Sequence, residues 1–121
     1  DYTGPTWLSV NLSATTVSQG DQISVTIGAQ DEDGPWLGSV KWTNPFEDQV
    51  SMSLNCSGEI CTWTHTIIGS SEWRHLGVYE WYTVELYDTN DNYRYYSRDG
   101  TWTEKFASGT HAMSIPNLTV Q

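Results

Sequence analysis

Positive charge is scarce in this chain. Against fifteen acidic residues stand five cations, Lys41, Arg74, Arg94, Arg98 and Lys105, for a net charge of -10. A surface of that sign repels a phosphate backbone, which excludes nucleic acid as a partner. Long apolar runs are also missing. The longest are two or three residues, so no segment suits membrane insertion as a helix. The first residues lack the charged start and apolar block of an export signal, and any such signal is expected to have been removed already. No stretch sustains a helical apolar period. Patterns for a nucleophile elbow, a phosphate-binding loop and a zinc-protease helix are absent, and His65, His75 and His111 share no metal-ligand spacing. The chain is therefore not expected to be an enzyme or to carry an organic cofactor. Fifteen carboxylates place some pair at glycosidase-like spacing by chance, so their number is no argument for catalysis.

What is present is alternation. Leu8, Val10 and Leu12 mark a first strand, and the turn Ser18-Gln19-Gly20-Asp21 leads into Ile23, Val25, Ile27 and Ala29 on one face of a second. After the break at Asp31-Glu32-Asp33-Gly34-Pro35, Val40 and Trp42 mark a third strand that ends at Asn44-Pro45. Val50, Met52 and Leu54 form a fourth, and Trp63, His65 and Ile67 a fifth. Gly69 to Leu76 reads as an irregular connection. The strand from Gly77 then puts Tyr82, Val84 and Leu86 inward, but Tyr79-Glu80-Trp81-Tyr82 is out of step with them, which predicts a bulge near Trp81. Beyond the turn Asp88 to Asn92 come a strand Tyr93 to Ser97, a tight turn at Asp99-Gly100, the run Thr101 to Phe106, a loop through Gly109 and a closing strand Met113 to Val120. The fold class is all-β. At 121 residues a single domain over 7–121 is expected, with residues 1–6, including Gly4-Pro5, as a linker lead outside the core.

The segment Gly77 to Tyr96 resembles the penultimate strand, turn and last strand of bacterial extracellular immunoglobulin-like modules, whose turn is often of the D-x-x-G-N kind. Val17 to Asp21, Gly38-Ser39-Val40 and Thr62-Trp63-Thr64 fit the same pattern in order; the turn departs from it, with Asp91 in place of the glycine. The resemblance implies a Greek-key β-sandwich of about seven core strands, of immunoglobulin or fibronectin-III kind, with an extra C-terminal hairpin. It also implies a secreted or cell-surface accessory module, expected as a monomer.

Cys56 and Cys61 are too close in sequence to bridge distant strands, unlike the inter-sheet pair of antibody domains. A disulfide at a hairpin tip is the first reading, worth about 2 kcal/mol for so small a ring. A free pair, or metal ligation with a histidine, is the alternative.

In such a sandwich the loops after strands two, four and six share one end. They carry Asp31, Glu32 and Asp33; Asn55 and Glu59; and Asp88, Asn90, Asp91 and Asn92. Converging carboxylates repel unless a hard cation relieves them, so Asp31, Asp33, Asp88, Asn90 and Asp91 are candidate calcium ligands. Against this, the same residue types occupy ordinary solvated turns for backbone reasons. Seven Trp and seven Tyr exceed what one small core buries, so some rings must face solvent, where flat rings stack on sugar faces. Trp36, Tyr93, Tyr95, Tyr96 and Trp102 are the candidate carbohydrate contacts; Trp42, Trp63, Trp81 and Tyr82 follow strand alternation and are expected in the core. Two functions follow. One is a non-catalytic polysaccharide-binding module of a secreted bacterial polysaccharide-degrading enzyme. The other is a calcium-stiffened spacer or adhesin module whose partners are neighbouring domains of the same chain. Sequons begin at Asn11, Asn55 and Asn117 and matter only in a glycosylating source.

Overall fold

A computed structural model describes residues 3–67 and 73–121, and its regular elements are all strands. They are β1 (Thr6–Leu12), β2 (Thr16–Val17), β3 (Gln22–Gln30), β4 (Pro35–Thr43), β5 (Gln49–Ser57), β6 (Ile60–Thr66), β7 (Gly77–Asp88), β8 (Tyr93–Ser97), β9 (Thr101–Thr103), β10 (Ser108–Thr110) and β11 (Leu118–Val120). Among the described residues no helix is long and apolar enough to cross a membrane. Of the expected connection Gly69 to Leu76, the part up to residue 72 lies outside the described residues.

Alternation decides which side of each strand is buried. Ile23, Val25, Ile27 and Ala29 of β3 are fully inaccessible, as are Val40 and Trp42 of β4. Burying apolar surface at about 25 cal/mol per Å² is what fixes this register, since a one-residue slip would turn each row to water. Nine strands run edge to edge in the order β1-β3-β6-β5-β4-β7-β8-β9-β10. β11 pairs antiparallel with Val78 and its neighbours at the start of β7, and parallel with β2. The edge of β7 opposite β4 is thus shared. Thr83 to Tyr87 take β8, Gly77 to Tyr79 take β11, and β8-β9-β10 form a meander between these two pairings.

The sheet curls back on itself, bringing β1 against β7 and β8. β5 pairs with β4 from Gln49 to Asn55 but with β6 only at Asn55, Cys56 and Ser57, so the sheet turns a corner there. The tip of that corner is cross-linked: Cys56 and Cys61 face each other across the hairpin and are disulfide-bonded, as expected. At the far side Trp7 of β1 packs edge-on against Trp81 of β7 and Tyr96 of β8, with ring centroids 5.5 and 5.6 Å away. The Tyr96 hydroxyl accepts the Trp7 amide and donates to the Pro5 carbonyl.

Five expectations are corrected. Gly4 and Pro5 are buried, because the lead lies against the Tyr93–Arg94 backbone, where a side chain on Gly4 would clash. The packed body therefore begins before residue 7. The bulge expected near Trp81 is present, but its extra residue is Tyr82, which β4 skips between Trp81 and Thr83, and Tyr82 is 49% exposed instead of buried. A second bulge in β1 extrudes Leu8 and gives its core place to Trp7. At the C-terminus, the closing strand shortens to Leu118–Val120, and Ser108–Thr110 is a strand where a loop was expected.

Candidate functional site

Two features of the fold collect the polar and aromatic candidates. The first is the acidic end. Asp31 ends the run after β3, Asp88 ends β7, and the ladder pair Pro35–Asp88 brings the two turns together. Thr89 ties them further, donating from its hydroxyl to the Asp33 carbonyl at 2.8 Å and from its amide to the Gly34 carbonyl at 3.3 Å. Asp31, Asp33 and Asp88 each offer an oxygen within 4.8 Å of the others. Asp88 is wholly buried and accepts the Asn90 and Asn92 amides on one oxygen and the Asn92 side-chain amide on the other. These bonds hold the turn, and they explain how Asp91 stands at φ 64° in the position a glycine would take. Burial pushes the Asp31 carboxyl up to about 6, helped by the Asp88 and Asp33 carboxylates and opposed by the Asp33 amide. Asn90 and Asp91 are exposed, and Asp91 stands outside the carboxylate group.

The second feature is the outer face of β5-β4-β7-β8-β9-β10. Pairing places Asn55, Leu37, Tyr87 and Tyr93 in one row, and Ser53, Ser39, Glu85, Tyr95, Thr103 and Ser108 in the next. A third row holds Ser51, Lys41, Thr83, Ser97, Thr101 and Thr110. The charged side chains of these rows, Lys41 and Glu85, are paired with each other at 2.9 Å. In a chain of net charge -10 this face is electrically balanced and rich in hydroxyls, with Asn55 adding one amide. At its centre Tyr93 and Tyr95 stack with centroids 4.5 Å apart, and Tyr87 packs against both.

Strand alternation divides the aromatic candidates. Tyr93 and Tyr95 are half-buried on the outer face. Tyr96 points the other way, is 3% exposed and has its hydroxyl committed to Pro5 and Trp7, which removes it as a carbohydrate contact. Trp102 pairs opposite Tyr96 on that same inner side. Its ring lies under the Arg94 guanidinium, 3.9 Å from the centroid, and against Gly109. Arg94 is in turn held by Glu104 at 2.8 Å. Trp36 is the extra residue of a bulge between Pro35 and Leu37 and is half exposed. Tyr87 was missed by sequence reasoning, although its place opposite Tyr93 follows from a hairpin register about Asp88–Asn92. Tyr82, expected in the core, is exposed because a bulge shifts its side chain by one position.

The fold defines the class as an all-β domain. No protein-family model and no curated protein sequence matches the chain. Among solved structures it is similar to Cwp6 from Clostridium difficile, with a TM-score of 0.59 and 12% sequence identity. That match covers 92% of this chain but 17% of the other, so the chain corresponds in extent to a fraction of that protein.

Proposed function

We propose that this is a non-catalytic immunoglobulin-like module of a bacterial surface or secreted protein, and that its outer sheet face binds a polysaccharide. The strand order supports the immunoglobulin-like assignment. β1-β3-β6 form one side of the curl, β5-β4-β7-β11 the other, and the β5–β6 corner connects them. The likeness to one part of a Clostridium difficile protein named Cwp6 supports a modular role.

The observation that carries glycan binding is the Tyr87–Tyr93–Tyr95 group on a charge-balanced face rich in hydroxyls. Protein interfaces are depleted in Ser and enriched in apolar cores, whereas a hydroxyl-rich partner with flat CH faces matches rings surrounded by hydroxyls. Affinity electrophoresis against a panel of soluble and insoluble glycans tests the reading. Retention on at least one is expected, and retention on none removes it.

A second reading follows from the acidic end. Three carboxylates within 4.8 Å fit a calcium ion in charge and donor type. They do not fill its shell of six to eight oxygens, and both Asp88 oxygens already hold the turn. A cation there would brace the 31–34 and 88–92 turns beside the start of β1, as a spacer between domains requires. Calcium at a hundredfold excess over its dissociation constant would add about 2.7 kcal/mol. A melting temperature unmoved by calcium or chelator contradicts this reading.

A further inference from the structure

Tyr82 is the aromatic residue that the β7 bulge turns out of the core, and it does not stand alone. With Ser97, Arg98 and Asp99 it lines a cleft of about 540 Å³ at the end of β8. The Arg98 amide donates to the Tyr82 carbonyl at 3.1 Å, which fixes the bulge against the turn after β8. The Arg98 guanidinium is held by Glu80 at 2.7 Å. Asp99 accepts both the amide and the hydroxyl of Thr101 on one oxygen, and these bonds keep its carboxyl below the ordinary range and hence ionised. Ser97 lies two residues beyond Tyr95 on the same face of the same strand. From Tyr93 to Ser97 the strand advances about 14 Å.

We propose that this cleft is a second sugar-ring subsite, taking the continuation of a neutral glycan chain that runs along β8 from the Tyr93 and Tyr95 rings. The inference rests on the glycan-binding reading above. A flat ring, a guanidinium, a carboxylate and a hydroxyl around one cleft supply a stacking surface together with donors and acceptors for a polyol. An anionic glycan is disfavoured, because Arg98 is already committed to Glu80, Asp99 adds a negative charge, and the whole chain carries -10.

The test is calorimetric titration with neutral gluco-, xylo- and N-acetylglucosamine oligosaccharides of increasing length, using the series that the protein retains. Tyr82→Ala should weaken the longest oligomers about tenfold and leave the shortest unchanged, while Tyr82→Phe, which keeps the ring, should bind as the parent does. Backbone amide resonances of Ser97 to Gly100 should shift during titration with long oligomers only. If Tyr82→Ala binds every length normally while Tyr95→Ala does not, the subsite is wrong and the glycan-binding face stands. Preference for acidic glycans, or self-association abolished by Tyr82→Ala, overturns the subsite. A protein that binds no glycan removes both.

Discussion

The phenol oxygens of Tyr87 and Tyr95 lie 2.8 Å apart, so a hydrogen bond between side chains reinforces the β7–β8 ladder on the outer face. Burial and this bond push the Tyr95 hydroxyl up to about 12, with the Glu85 charge adding to the effect. In an ultraviolet or NMR titration Tyr95 should ionise well above the ordinary tyrosine value of 10.0. Tyr87→Phe should bring it part of the way back toward 10, since burial remains. A Tyr95 that ionises near 10.0 would contradict the geometry of the face.

Asp31 gives the fold a pH dependence of defined sign. Its carboxyl is raised from 3.8 to about 6, so between those values the folded chain holds a proton that the unfolded chain releases. That stabilisation is fully present below 3.8, declines as pH rises, and is lost above about 6. Asp31→Asn removes the penalty of the ionised form. Above pH 6 the variant should be more stable than the parent by about 1 kcal/mol once solvent screening is allowed for, and the difference should vanish near pH 4. Urea unfolding at the two pH values measures it.

Tyr96→Phe should cost about 2 kcal/mol in the same assay. It leaves the buried Trp7 amide without its acceptor and the Pro5 carbonyl without its donor. Tyr95→Phe, which removes one half-exposed hydroxyl, should cost less than about 1 kcal/mol. Equal losses would mean that the lead is not anchored as described.

The regular strands were legible because their burial follows a strict period of two. Ile23 to Ala29 is the clearest case, and the convergence of Asp31, Asp33 and Asp88 follows from strand order alone. Bulges are where the reading failed. One extra residue at Leu8 and another at Tyr82 exchange inside for outside, and composition does not announce their exact position. The period that identified the hairpin aromatics also separates them, so adjacent Tyr95 and Tyr96 lie on opposite faces. β2 and β10 were not legible because Thr16–Val17 and Ser108–Gly109–Thr110 have too little apolar sequence to signal a strand. β2 exists because β11, at the other end of the sequence, completes its hydrogen bonds, and β10 because β9 pairs with it across a local turn. Gly4 and Pro5 read as linker by composition and are buried through contacts with residues some ninety positions away.

Glycan affinity measured side by side for Tyr93→Ala, Tyr95→Ala and Trp102→Ala tests the central claim most directly. The first two change the outer face, and the third changes a ring on the inner side beneath Arg94. On whichever glycan the parent retains, the tyrosine variants should each lose about tenfold in affinity, and the tryptophan variant should bind within about twofold of the parent. Loss with Trp102→Ala and retention with both tyrosine variants would place binding on the other side of the sheet and contradict the account.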